Sequence, residues 1–190
     1  LTSYVMAAYL KEDPKSAEAS LKYFLFGAAT SALMLYGISL AFGISGSLDL
    51  LRFIALGSAN NMQIFVLSVI LMLIGFGFKI GMVPVHFWIP DVYEGAPTPV
   101  AAFFSAAPKI AGFAILLRFL SILMPLGVVN LVMFFAVISA ATMTAGNLAA
   151  IPQNNIKRLL GYSSVAQAGY IIIALASLNS LIAPQAVLIY

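Results

Sequence analysis

Two lysines lie inside stretches of the sequence that otherwise read as membrane-spanning helices. Lys79 shares residues 53–89 with one other ionisable residue, His86, and Lys109 is the only ionisable residue within 95–117. Placing an ammonium group in hydrocarbon costs about 2.5 to 3.5 kcal/mol on insertion scales. Neither lysine has a carboxylate nearby in the sequence to offset that cost. The pattern therefore indicates that the charges are needed, and an ion or proton pathway is the first hypothesis.

The bland alternative is that both lysines extend their ammonium groups to a headgroup region. Lys79 follows Met62 by 17 residues, near the far end of a span, so this alternative stays open for it. Lys109 lies about ten residues into an apolar helix beginning near Val100, or about 15 Å into a core about 30 Å thick. For Lys109 we favour a proton relay, because a buried lysine can switch between charged and neutral forms.

Three further residues bear on this chemistry. His86 titrates closest to physiological pH and suits a shuttle between the lysines. A lone histidine is more often structural, but its position beyond a predicted break, seven residues after Lys79, favours the shuttle. Pro108 either exposes a carbonyl beside Lys109 or simply kinks the helix. Lys22 follows Glu18 by four residues, an ordinary i,i+4 pair that favours a structural role. Hydroxyl and amide groups that could join helices or hold water in a proton path belong to Tyr162, Ser163, Ser164 and Gln167.

Composition sets the class of protein. The chain is 63% hydrophobic and 8% charged, with a mean hydropathy of +1.06, whereas soluble domains are about 25% charged. We therefore expect an integral membrane protein. The lack of cysteine excludes disulfides, iron–sulfur clusters and thiolate metal sites, and one histidine with six carboxylates leaves little for a closed metal site. A scattered net charge of +3 gives nucleic-acid binding no support.

The elements that must position these residues are helices of about 20 apolar residues each. The sequence predicts an all-α polytopic helix bundle, a single transmembrane domain over residues 1–190 that reads as a fragment of a longer protein. Residues 49–61 are predicted to be a partly amphipathic connection at the interface, and 90–99 a tight loop. The predicted helices are 1–10 (the tail of one helix), 16–42 with Ser16 as N-cap, 62–89, 100–123, 128–149, 159–178 and the start of another at 184–190.

The predicted helix at 62–89 is too long for one straight span. Its 28 residues would measure about 42 Å, and it contains Gly81 and Pro84. Proline removes a backbone donor and clashes one turn back, so we expect a break near residues 81–84. Lys79 then lies just before the break and His86 just after it. Backbone groups freed at that depth must be buried in protein or face water.

Loop charges predict the orientation of the bundle. Alternate counting of the loops gives four cations on one side and two on the other, and the richer side is predicted to be cytoplasmic. The first group is Lys11, Lys15, Lys157 and Arg158, and the second is Arg52 and Arg118.

Four segments carry a family resemblance: ASLKYFL at 19–25, FKIGMVPVHFWIPDVYEGAPTPV at 78–100, SAAPK at 105–109 and IKRLLGYSSVAQAGY at 156–170. They resemble subunit N of NADH-quinone oxidoreductase (respiratory complex I) and its counterparts in mitochondria, chloroplasts and cyanobacteria. The segment with the two serines is shared by all antiporter-like subunits. The run at 91–100 with Lys109 favours subunit N over its L and M relatives.

The resemblance implies an antiporter-like inverted-repeat fold that translocates protons. It implies that Lys79 is the lysine at the helix break, that His86 lies between it and Lys109 on a hydrated axis, and that Lys22 lines the same region. Gln167 stands where some members have histidine, so a protonatable role there is not expected. A partner glutamate is expected before residue 1 and a terminal relay lysine after residue 190.

The resemblance also implies partners and cofactors. NADH, FMN, iron–sulfur clusters and quinone are expected on the rest of the complex, with no cofactor on this chain. The expected partners are other membrane subunits, including antiporter-like neighbours, and the bilayer of a bacterial inner membrane or an energy-transducing organelle. The alternatives are a subunit of a multi-subunit sodium/proton antiporter, which shares the fold, and a non-conducting scaffold subunit.

Overall fold

The computed structural model describes residues 2–123 and 131–176, together with Gln185, Val187 and Ile189. Its regular structure in those residues is entirely helical. The helices are α1 (Thr2–Ala7), α2 (Pro14–Ser45), α3 (Leu50–Asn60), α4 (Met62–Ile80), α5 (Trp88–Gly95), α6 (Thr98–Leu123), α7 (Leu131–Ala150) and α8 (Ile156–Ala176). Within the described residues, five of them are long and apolar enough to cross a membrane: α2, α4, α6, α7 and α8.

The start of α2 differs from the prediction. Asp13, not Ser16, is the N-cap, and its carboxylate accepts a hydrogen bond from the Lys15 backbone N–H at 3.0 Å. Pro14 occupies the first turn, where the missing N–H costs nothing. Ser16 is buried and donates to the Ala7 carbonyl at 2.9 Å, so it joins α2 to α1. Asp13 lies directly before Pro14 and can therefore accept from a free backbone N–H of the first turn, whereas Ser16 already lies inside the helix.

The predicted interfacial connection at 49–61 contains the helix α3. Asp49 caps it by accepting from the Leu51 N–H at 3.1 Å. Phe53 and Ile54 are 2% and 1% exposed and belong to the main hydrophobic core. The segment therefore packs against the bundle through one apolar face, while Arg52 is exposed.

The predicted break is present and separates α4 from α5 by residues 81–87. Gly81 adopts the left-handed conformation with φ 81°, and the Val83–Pro84 peptide bond is cis. The Met82 N–H donates to the Gly77 carbonyl at 2.9 Å, which leaves the Phe78 carbonyl without its usual helical donor. The Trp88 indole N–H donates to that carbonyl at 3.0 Å. A tryptophan beyond the break thus caps the end of α4.

The helix α5 corrects the prediction that a loop begins at Pro90. Pro90 lies in the first turn of α5, where backbone N–H groups have no helical acceptor in any case. Other bounds differ by a few residues. The predicted helix starting at 128 and the ends at 178 and 184–190 fall wholly or partly outside the described residues.

The helices α7 and α8 pack closely through glycine. A Cβ on Gly146 would lie 2.7 Å from the Ala166 backbone nitrogen, and one on Gly169 would lie 2.9 Å from the Met143 nitrogen. The Ser139 hydroxyl donates to the Gly169 carbonyl at 2.7 Å. Small residues that permit backbone contact are typical of membrane helix pairs.

Candidate functional site

Lys109 lies at the centre of the candidate site. It is on α6, directly after Pro108, and is 8% exposed. Its ammonium Nζ donates to the backbone carbonyl and to the hydroxyl of Ser164 on α8, each at 2.6 Å. A Cβ on Gly81 would lie 3.9 Å from Lys109 Cε, so the lysine side chain passes beside the helix break.

The partner of Lys109 has its own hydrogen bond. The hydroxyls of Ser164 and Tyr93 are 3.1 Å apart, so a chain of three polar groups joins α6, α8 and α5. Tyr93 is 4% exposed, and burial raises the pKa of its hydroxyl to about 12. The sequence singles out Ser164 as either a helix contact or a water site. It gives no signal for Tyr93, because that residue falls in a predicted loop.

Two cavities meet at these residues. A cavity of about 530 Å³ lies beside Lys109, and its wall includes Phe113 and Ile171. A second cavity of about 460 Å³ lies beside Tyr93 and reaches Lys157 at the start of α8. Both are large enough to hold water, since each water needs about 30 Å³. The wall residues that the two cavities share are Ser105, Ser164 and Gln167.

Lys79 occupies the last turn of α4 and is only partly buried. Its ammonium lies 6.0 Å from the ring centroid of Tyr23 and 5.9 Å from that of Phe78, within reach of a cation–π attraction. A Cβ on Gly112 would lie 3.4 Å from Lys79 Cβ, so α4 and α6 are close at this level. The structure therefore places Lys79 and Lys109 on neighbouring helices beside the same break.

His86 lies within the break segment and is 7% exposed. Its ring contacts the ring of Phe87, with centroids 4.5 Å apart. Its Nδ1 atom is buried without a hydrogen-bond partner among the described residues. Among the described residues, His86 forms no hydrogen bond to either lysine. A shuttle through His86 therefore stays a prediction.

Lys22 lies elsewhere, in a group of ion pairs that we call the charged cluster. Its Nζ is 2.6 Å from a carboxylate oxygen of Glu18, the predicted i,i+4 pair, and 2.8 Å from one of Asp91. Its side chain is 40% exposed, so its role in a proton path also stays a prediction. The cluster lines a cavity of about 350 Å³ and consists of Lys15, Glu18, Lys22, Asp91, Glu94 and Arg158.

The remaining pairs of the charged cluster tie three helices together. Arg158 on α8 is 2.6 Å from Asp91 and 3.0 Å from Glu94, and Lys15 on α2 is 2.7 Å from Glu94. The hydrogen bond from Lys15, with another from Arg158, holds the pKa of the Glu94 carboxyl below its ordinary value. The loop charges predict Lys15 and Arg158 on the same side of the membrane, and the cluster brings them together at one end of the bundle.

No group of three histidine or acidic side chains suited to a metal ion occurs in the described parts of the chain. The polar groups at Lys109 are an ammonium, two hydroxyls and a carbonyl. Hydroxyls donate and accept hydrogen bonds, and an ammonium donates only. The arrangement can therefore hold a charge and exchange a proton.

Known proteins are similar to this chain in sequence and in fold. A family described as NADH:quinone oxidoreductase/Mrp antiporter, TM, matches residues 1–190. NADH-quinone oxidoreductase subunit N of Desulfitobacterium hafniense is 47% identical over 183 residues, which are 94% of this chain and 36% of that protein. A chain of respiratory complex I from Thermus thermophilus with bound aureothin superposes with a TM-score of 0.80 at 40% identity, covering 99% of this chain and 40% of that one.

A chain of the Mrp complex from Dietzia sp. DQ12-45-1b superposes with a TM-score of 0.82 at 24% identity, covering 93% of this chain and 33% of that one. At that identity the likeness concerns the fold alone. The chain thus spans little more than a third of the length of the relatives that it matches. The family match and the five apolar helices of the described residues together indicate an integral, multi-pass membrane protein.

Proposed function

Because the chain belongs to the NADH:quinone oxidoreductase/Mrp antiporter transmembrane family, we propose that it is the proton-translocating part of an antiporter-like subunit of an NADH-quinone oxidoreductase. Lys79 and Lys109 are the proposed proton carriers, with His86 as a shuttle between them. Lys22 would supply charge at one end of the path. Electron transfer from NADH through FMN and iron–sulfur clusters to quinone would belong to other subunits, which would also be the partners of this one.

One observation carries this proposal. Among the described residues Lys79 and Lys109 form no ion pair, whereas Lys15, Lys22 and Arg158 all contact carboxylates at 3.0 Å or less. The carboxylates of the cluster thus neutralise Lys15, Lys22 and Arg158, and in the described residues the two lysines inside the spans have no counter-ion. An unpaired ammonium inside a span is costly, and such residues mark ion and proton pathways.

The geometry suits an electrostatic mechanism. Two unit charges in a low-dielectric interior interact by several kcal/mol over distances at which water would screen them almost completely. A change in the charge near Lys79 would therefore alter the proton affinity of Lys109 across the α4–α6 contact. The cavity beside Lys109 would supply water to take up the proton. A glutamate partner for Lys79, implied by the family resemblance, would set the charge state of that lysine.

Replacement of the two lysines tests the proposal. In the assembled complex we expect Lys109→Ala and Lys79→Ala each to lower proton pumping by about tenfold or more, since each removes a proton carrier. Quinone reduction and proton pumping are measured together in proteoliposomes. The matched control is Lys11→Ala, because Lys11 is exposed in the loop before α2. Normal pumping by both variants in an intact complex would rule out the relay.

A sodium/proton antiporter subunit is the second candidate, because the description of the matching family names the Mrp antiporter beside the oxidoreductase. The 47% identity to a subunit N favours the oxidoreductase. Transport that depends on sodium and proceeds without quinone-linked redox activity would decide for the antiporter. A scaffold subunit would show neither a sodium dependence nor a loss of pumping on replacement of the lysines.

A further inference from the structure

The hydrogen bonds of Lys109 lead to a buried pair of hydroxyls. Its Nζ is 2.6 Å from Ser164 Oγ, which is 3.1 Å from the hydroxyl of Tyr93. The Ser164 carbonyl is a second acceptor at 2.6 Å. These three residues come from three separate helices, so the contact exists only when α5, α6 and α8 are packed as observed.

We propose that Ser164 and Tyr93 are positioning residues for Lys109, forming a two-hydroxyl chain that reverses its hydrogen-bond direction when Lys109 changes charge. This inference rests on the proposed function of Lys109 as a proton carrier. It adds which residues hold the carrier in place in both of its states. Neither hydroxyl is itself a proton carrier in this scheme.

The chemistry of the three groups permits two arrangements. Charged Lys109 has donors only, so Ser164 Oγ accepts from it and donates its own hydrogen to the Tyr93 oxygen. Neutral Lys109 has a lone pair, so the Ser164 hydroxyl donates to Nζ while Tyr93 donates to Ser164. The proton that leaves Lys109 passes to water in the adjoining cavity. The two hydroxyls only rotate, and they neither gain nor lose a proton.

Tyr93 suits the end of this chain because it is fixed and neutral. Its ring belongs to the second hydrophobic core, with Trp88 and Phe104. Burial keeps its hydroxyl protonated through the physiological pH range, as its raised pKa indicates. Glu94, the next residue, is held by the charged cluster, which anchors α5. The Tyr93 oxygen can therefore stay in place while its O–H bond rotates between accepting and donating.

Other ionisable groups surround the helix of Lys109. They lie on the helices packed against α6, and Arg118 lies on α6 itself. Among the described residues the hydrogen bonds of Lys109 go to Ser164 alone, so Ser164 is the direct link. The groups are Tyr4 on α1, Arg52 on α3, Lys79 on α4, Asp91, Tyr93 and Glu94 on α5, and Lys157, Arg158, Tyr162 and Tyr170 on α8.

The test uses the full-length subunit in the assembled complex, reconstituted in proteoliposomes. Proton pumping and quinone reduction are measured against pH for Ser164→Ala, Ser164→Thr, Tyr93→Phe and the double variant Ser164→Ala/Tyr93→Phe. Ser121→Ala is the control, because Ser121 is exposed on α6 and its hydroxyl donates to the Arg118 carbonyl of the same helix. Lys109→Ala is measured in parallel.

We expect Ser164→Ala to move the alkaline limb of the pumping profile about one pH unit towards acid, since the ammonium loses an acceptor. Ser164→Thr keeps the hydroxyl and restores the profile, and Ser121→Ala leaves it unchanged. Tyr93→Phe lowers the pumping rate by up to about tenfold. The double variant matches Ser164→Ala, because Tyr93 acts through Ser164.

Additive effects of the two single variants, or an unchanged profile for Ser164→Ala, would overturn the inference. If Ser164→Ala does not assemble, Tyr93→Phe decides. A normal rate and profile for Tyr93→Phe would then overturn the inference, and a lowered rate with an unchanged unfolding midpoint would support it. Loss of pumping in Lys109→Ala with a normal Ser164→Ala profile refutes only this inference. Normal pumping in Lys109→Ala refutes the proposed role of Lys109 as a proton carrier, on which this inference rests.

Discussion

Five cations of this chain fall into two groups according to their partners. Lys15, Lys22 and Arg158 contact carboxylates, while Lys79 faces aromatic rings and Lys109 faces oxygen atoms of Ser164. An aromatic face or a hydroxyl attracts an ammonium less strongly than a carboxylate does. We therefore propose that the inner lysines are held without being fixed in the charged form. That is the property a proton carrier needs.

A prediction at the residue scale concerns Trp88. Its indole N–H is the donor for the Phe78 carbonyl, and the side chain is 1% exposed. Trp88→Phe keeps an aromatic ring but leaves a buried carbonyl unpaired, which costs about 1 to 3 kcal/mol. We expect a lower midpoint of thermal unfolding for the purified complex. Phe87→Leu is the control, since Phe87 is 60% exposed. Equal midpoints for both variants would contradict the assigned cap.

At the scale of elements, the break between α4 and α5 was predictable and its surroundings were not. Gly81 and Pro84 indicate the break, because glycine readily adopts the left-handed conformation and proline has no backbone N–H to donate. The Trp88 cap and the bond from the Val83 N–H to Thr142 Oγ1, at 3.2 Å, depend on helix packing. Sequence spacing gives no information on such contacts.

The left-handed conformation of Gly81 supports a prediction at this scale. Gly81→Ala places a Cβ at φ 81°, where L residues are strained by about 1 to 2 kcal/mol, and against the side chain of Ile89. We expect reduced assembly of the complex and a lower unfolding midpoint. Gly43→Ala on α2 is the control, because a Cβ there meets open space. Native gel electrophoresis of solubilised membranes reports assembly, and a fully assembled, equally stable variant would refute the strain.

Hydropathy and length predicted the long helices, because each span must be apolar for about 20 residues. Hydropathy and length did not predict α5 in full. Pro90 suggested a loop, whereas it lies in the first turn of that helix. The burial of Lys109 followed from its place within a span. The sequence did not predict the hydrogen bond from Lys109 to Ser164, which is 55 residues away, because that contact depends on how α6 and α8 pack.

At the scale of the whole molecule, the charged cluster joins α2, α5 and α8 through Glu94. Because the folded-state pKa of Glu94 is lowered, its ionised form stabilises the fold above the ordinary pKa. That stabilisation is lost as the pH falls through the lowered value. We expect Glu94→Gln to be less stable than the parent at neutral pH and equal to it below the folded-state pKa of Glu94.

Thermal unfolding of the purified complex across that pH range measures the difference. Glu12→Gln is the control, because Glu12 is exposed in the loop before α2. A stability difference that persists unchanged into acid would show that the carboxylate pairs do not hold the three helices together.

The glycine contacts between α7 and α8 have a mechanical consequence. Because neither Gly146 nor Gly169 has room for even a methyl group, α7 and α8 form a closely packed pair. Its α7 half supports the break through Thr142, and its α8 half supports Lys109 through Ser164. A tilt of this helix pair against α6 would therefore strain both of these hydrogen bonds at once. Such a tilt would therefore change the break between α4 and α5 together with the position of Lys109.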